Sequence, residues 1–139
     1  MRYIIFSVLL SFLTSCSNSQ LQSKTPASYL GGWSVYSRNY ESLCGDMSIG
    51  HSTIDFSVMG SVPYEIVKIS SNEIYLQLHP KRNDGYVVKL GPISKSRWNS
   101  DEETMAVTFY ATKEDALKDL TQEFKDCFAW GVYWRKAKG

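Results

Sequence analysis

Apolar and polar positions alternate along most of this chain. Ile54, Phe56 and Val58 alternate with Asp55 and Ser57, and Ile74, Leu76 and Leu78 with Tyr75 and Gln77. Tyr86, Val88 and Leu90 alternate with Val87 and Lys89. Further on, Met105, Val107, Phe109 and Ala111 alternate with Ala106, Thr108 and Tyr110. Near the end, Phe128, Trp130, Val132 and Trp134 alternate with Ala129, Gly131 and Tyr133. A period of two places successive side chains on opposite faces, the signature of half-buried strands. The stretch Tyr64 to Ile69 is also β-prone but less clearly sided. A first strand is expected around Trp33 to Ser37. Turn residues separate these runs at Met59-Gly60-Ser61, Ser71-Asn72 and Asn83-Asp84-Gly85. Short strands at this spacing predict an antiparallel meander. Several strands are apolar on both faces. The predicted fold is therefore mainly β: a small antiparallel β-barrel or sandwich of about seven to eight strands.

One segment changes period. In residues 112–125, Leu117, Leu120 and Phe124 recur at helical spacing. Thr112 can cap the start, Glu114 and Asp115 suit the first turn, and Lys125 suits the last. This predicts one amphipathic helix before the last strand, covering a barrel mouth or a sheet face.

The first residues follow another logic. Met1-Arg2 is a short positive start, and Tyr3 to Leu13 is an uncharged, mostly apolar run. It is too short to span a bilayer and fits the core of a secretion signal. The run ends in Leu13-Thr14-Ser15-Cys16, which resembles the lipobox of bacterial lipoproteins. The resemblance implies cleavage before Cys16, a diacylglyceryl thioether on its sulfur and a further acyl chain on the new amino terminus. Several acyl chains together hold a protein stably at a membrane. Ser17 stands where that family's inner-membrane retention signal has Asp, so the resemblance implies the outer membrane, with the domain facing the periplasm or the cell surface. Residues 1–15 are thus expected to be a signal peptide and residues 16–28, polar and Ser/Gln-rich, a flexible tether. Residues 29–139 remain for one β-rich domain.

Composition narrows the partners. Fifteen Lys and Arg face fourteen Asp and Glu, and one of the cations, Arg2, lies in the signal. No basic block argues for nucleic acid. With Cys16 assigned to lipid, Cys44 and Cys127 remain. An even pair in an exported chain predicts a disulfide. A bond there would tie the first strand to the last and stabilise the fold by about 4 kcal/mol in the chain-entropy model. A catalytic thiol or a pair of metal ligands are the other readings of the two cysteines.

Little else carries chemistry. His51 and His79 are isolated, with no metal-ligand spacing, so no metal site and no cofactor are expected. No Gly-x-Ser-x-Gly elbow or phosphate loop appears, and no catalytic residue is assigned. Residues 99–103, including Glu102 and Glu103, read as a solvated hairpin loop. Lys95-Ser96-Arg97-Trp98 places a tryptophan among cations, the composition of an interaction hot spot, and makes Arg97 and Trp98 the candidates for partner contact. Gly31-Gly32-Trp33 resembles the Gly-x-Trp segment that opens the first strand of lipocalins. That resemblance implies an eight-stranded barrel with Trp33 plugging its closed end. Two functions stand open. One is a membrane-anchored, non-enzymatic protein-binding module, resembling in size and architecture the periplasmic lysozyme inhibitors and immunity lipoproteins. The other is a carrier of a small apolar ligand or lipid inside the barrel. A packed core with a protruding aromatic loop would favour the first, and an open apolar interior the second.

Overall fold

The computed structural model describes residues 24–36, 44–79, 85–119 and 126–138. Among them are nine strands and one helix. In chain order these are β1 (Gly31–Val35), β2 (Met47–Ile49), β3 (Thr53–Phe56), β4 (Gly60–Ile69), β5 (Ile74–Leu78), β6 (Val87–Leu90), β7 (Ser94–Lys95), β8 (Glu102–Tyr110), α1 (Lys113–Lys118) and β9 (Ala129–Lys136). Every pairing is antiparallel, and the order follows the chain from β1 to β6. β6 and β7 both pair with β8: Val87 to Leu90 lie opposite Tyr110 to Val107, and Ser94 and Lys95 opposite Thr104 and Glu103. Pro92, between them, has no N–H to give the ladder, so the chain bends there and pairs with β8 in two separate stretches. The last strand then pairs with the first, Ser34 with Trp134 and Val35 with Tyr133. The result is a closed eight-stranded up-and-down barrel.

β2 and β7 escape the pattern of the sequence because strands of three and two residues carry too little alternation to register. β4 is the corner of the barrel. Its first part, Gly60 to Pro63, pairs with β3, and its second, Tyr64 to Ile69, pairs with β5. The register shifts between Ile66 and Lys68, a bulge that bends the strand and blurs its sidedness. Gly60, at φ +81°, turns the chain into this strand, and its backbone favours glycine.

The interior holds a continuous apolar cluster. Trp33, Met47, Phe56, Leu76, Met105, Phe109 and Tyr133 are at most 2% exposed and belong to one cluster along the barrel axis. One end is sealed by residues 25–30, which run across it. Trp33 donates from Nε1 to the Tyr29 carbonyl (2.9 Å). Tyr29 donates its hydroxyl to the Gly91 carbonyl (3.1 Å). Tyr64 donates to the Gly50 carbonyl (2.6 Å) and in turn accepts from Thr25 (2.6 Å). Thr25 is therefore buried and engaged, although its composition groups it with the tether. The guanidinium of Arg135 lies over the Trp33 ring, 4.0 Å from its centre. It also donates to the Leu30 carbonyl (2.9 Å), to the Ser28 carbonyl and to Glu103 (3.0 Å). Trp33 is thus buried in the core at the end that residues 25–30 cross. Gly31, at φ +103°, needs glycine for its backbone, whereas Gly32 has ordinary φ and open space around it.

The helix is capped as expected. Thr112 accepts at Oγ1 from the Asp115 amide (3.2 Å), and α1 runs to Lys118. Leu120, Phe124 and Lys125 lie outside the described residues. α1 lies against the outer wall over β6 and β8, where Tyr75, Val87, Tyr110 and Ala116 form a second cluster. Burial on both faces of β6 explains why Val87 to Leu90 are all inaccessible.

Two expectations are corrected. No bond joins Cys44 to Cys127. Cys44 belongs to the cluster inside the barrel, and Cys127 packs with the outer cluster beneath α1, so the two sulfurs serve different layers. Glu102 and Glu103 are not in a solvated loop but open β8, where Glu103 faces Arg135.

Replacing Arg135 by Met keeps much of the stem over Trp33 but removes the donors to two carbonyls and a carboxylate. Stability should fall by about 2 kcal/mol, read as a lower urea midpoint at unchanged slope.

Candidate functional site

Three places could do chemistry or recognition: the wall under α1, the open barrel end and the outer face of β9.

The wall under α1 gathers ionisable groups. Lys89, 4% exposed, has its ammonium 3.5 Å from a Glu73 carboxylate oxygen and donates to the Asp119 carbonyl (3.3 Å). The same ammonium lies 5.6 Å from the centre of the Tyr75 ring. Tyr75 donates to the other Glu73 oxygen (3.0 Å), and Tyr110 donates to the Asp119 carboxylate (2.9 Å). Burial, followed by the hydrogen bond to Glu73, pushes the Tyr75 hydroxyl up to about 12. Burial and the bond to Asp119 push Tyr110 up as well. Each group satisfies another, and Lys89, Tyr75, Tyr110 and Asp119 are buried while Glu73 keeps partial contact with solvent. It works as a latch that fastens Asp119, at the end of α1, to β6 and β8.

The open end lies opposite Trp33. Cys44, Met59, Tyr86 and Phe128 stand around it, with Phe109 and Ala129 below them, enclosing a cavity of about 130 Å³. Tyr86 and Phe128 have ring centres 4.8 Å apart, and Phe128 and Phe109 6.3 Å. Burial pushes the Cys44 thiol up to about 11, which keeps it protonated and a weak nucleophile at neutral pH.

The outer face of β9 carries the aromatic residues. Its inward row is Ala129, Gly131 and Tyr133, while Trp130 is 51% exposed and Val132 and Trp134 half-buried. Tyr36 bonds through its amide to the Val132 carbonyl (2.9 Å), which sets it beside this row. Trp98, 77% exposed, stacks on Tyr36 with ring centres 5.8 Å apart and 21° between planes. Asn99 shapes the loop, accepting from the Asp101 amide (3.0 Å) and donating to Glu102 (3.2 Å). Arg97, beside Trp98, is exposed.

The sequence-derived site residues therefore divide. Arg97 and Trp98 stand together on the surface. Cys16 lies outside the described residues. His51 is exposed, and His79 is exposed with Nε2 3.4 Å from Glu65. Among the described residues, no cluster of His, Cys, Asp or Glu is arranged to hold a metal ion. The Lys89–Glu73–Asp119 latch and the stacking of Tyr36 on Trp98 escaped sequence reasoning, because neither pairing is local. Lys89 alternating into a strand next to a helical segment was the one available hint. No family model, curated protein or solved structure matches this chain. The reading of the site rests on its geometry.

The latch predicts alkaline sensitivity. Tyrosines whose hydroxyls are held protonated in the fold, but ionise near their ordinary value when unfolded, contribute stability that is complete below pH 10. That stability is lost as pH rises through the folded value. Tyr75 alone should account for about 2 kcal/mol lost by pH 12. Urea titrations from pH 8 to 12 should show the decline, and Tyr75→Phe should remove the Tyr75 share of it, leaving that of Tyr110.

Proposed function

We propose that this protein is a membrane-anchored, non-enzymatic binding module that engages a protein partner through the Arg97–Trp98 loop and the neighbouring outer face of β9. The observation that carries this reading is Trp98, 77% exposed yet held by its stack on Tyr36. A large exposed ring costs contact with water, and a pre-positioned one loses little conformational freedom on binding. Tryptophan, tyrosine and arginine are the residues that dominate interface energetics, and here all three sit together beside Trp130 and Trp134. The barrel behind them carries a continuous cluster of buried apolar side chains, which gives the loop a rigid platform. A rigid scaffold presenting an exposed aromatic loop suits an inhibitor or immunity-like module.

The lipobox resemblance at Cys16 supports an acyl anchor at the outer membrane. Residues 16–23 then separate the membrane from the first residues packed on the barrel.

Trp98→Ala should leave the urea midpoint unchanged within about 0.5 kcal/mol, because so little of the ring is buried. Photo-crosslinking from position 98 of the full chain, in the cells that make it, should yield one discrete protein adduct. Affinity for the partner so identified should drop at least about 30-fold in Trp98→Ala. Equal affinity of the variant would remove the reading. For the anchor, Cys16→Ser should move the protein from the membrane fraction to the soluble fraction.

A further inference from the structure

We propose that the cavity at the open barrel end is a binding site for a small neutral compound built on a single aromatic ring. This site is separate from the Trp98 face and stands or falls without it.

The size sets the class. The cavity holds about 130 Å³, close to the roughly 150 Å³ apolar cavities that take up benzene while staying dry. It is well below the roughly 300 Å³ at which pockets for drug-sized ligands begin. A fatty acyl chain or a fused-ring system does not fit, and one six-membered ring with a short substituent does.

The lining sets the chemistry. Three rings, Tyr86, Phe109 and Phe128, surround the space and are tilted against one another rather than stacked flat. A fourth ring entering such a set finds edge-to-face contacts on several sides. Met59 and Cys44 add polarizable sulfur, which suits the edge of an aromatic ring. Among the described residues, none that lines the cavity is an acid or base charged at neutral pH, so a carboxylate or ammonium on the ligand would lose its hydration without compensation from them. The Cys44 thiol stays neutral there, which keeps it within the apolar wall.

The site is also reachable and pre-formed from below. Phe109 and Ala129 face each other across β8 and β9 and fix the floor. Tyr86, Met59 and Phe128 are 41%, 40% and 49% exposed, so the rim opens to solvent. Rigid floor and accessible rim together give entry without unfolding of the barrel.

Toluene is the probe, with benzoate as the charged counterpart of the same ring. In the full chain carrying ¹³C-methyl methionine, toluene should shift the Met59 resonance in a saturable way while Met105, packed deep in the core, stays in place. The dissociation constant should be on the order of 0.1–1 mM for a ligand of seven heavy atoms. Benzoate should bind at least about tenfold more weakly. Ala129→Leu fills the cavity from its floor and should abolish the Met59 shift. Where that variant misfolds, Phe128→Ala, which widens the rim, should weaken toluene binding several-fold. No saturable Met59 shift with toluene in the unmodified chain would overturn the proposal, as would equal binding of benzoate.

Discussion

The barrel closes on two backbone pairs between β1 and β9, extended by the bond from the Tyr36 amide to the Val132 carbonyl, and a ladder that short is weak by itself. Arg135 supplies what the ladder lacks. Its guanidinium covers the face of Trp33 at 4.0 Å while its donors reach two carbonyls of the preceding segment and the Glu103 carboxylate. One side chain of the last strand thereby fastens the first strand, the segment that seals the closed end, and β8. The cation is tolerated at low exposure because it is paired, stacked and hydrogen-bonded at once. Trp33, in turn, is held in the core by its bond to the Tyr29 carbonyl. Everything on the open end and on the outer wall inherits its position from that closure.

The outer wall shows two solutions to the same problem. Over β5, β6 and β8 the exterior is covered by α1, and the polar groups trapped beneath it are matched into the Lys89 latch. Burying a charge of this kind is permissible only where the partners are in place. Around β9 and β1 the exterior is left open, and aromatic side chains face solvent. The two walls therefore differ: α1 packs on one, and on the other Tyr36, Trp98 and Trp130 are exposed. The mouth is a third environment, apolar and small, whose floor belongs to the core and whose rim does not.

Some of this was legible from residue order. The period of two marked β3, β5, β6, β8 and β9. Thr112 and the acidic residues after it marked the start of α1. Trp33 marked the neighbourhood of β1, which begins two residues earlier at Gly31. The sidedness of β9 was not legible. Phe128, Trp130, Val132 and Trp134 form the more apolar row, yet Ala129, Gly131 and Tyr133 face inward. The interior there is already occupied by Trp33, Phe56 and Phe109, so small residues fit, and Tyr133 enters because its hydroxyl reaches the Gly45 carbonyl (3.1 Å). The cysteine pair misled for a related reason. Parity and compartment suggested a bond, but position in layers put one sulfur inside the wall and the other outside it.

By itself the sequence determined the class of fold, the number of strand positions to within one and the place of the helix. These follow from local periodicity and capping, which neighbouring residues carry. The tertiary structure alone decided that the sheet closes into a barrel, which face of β9 is inside, that Arg135 covers Trp33, that Tyr36 props Trp98, and that Cys44 lines a cavity instead of bonding Cys127. Each of those joins residues far apart in the chain. Their meeting depends on how much volume the interior has left and on where buried polar groups find partners, which local residue order does not encode.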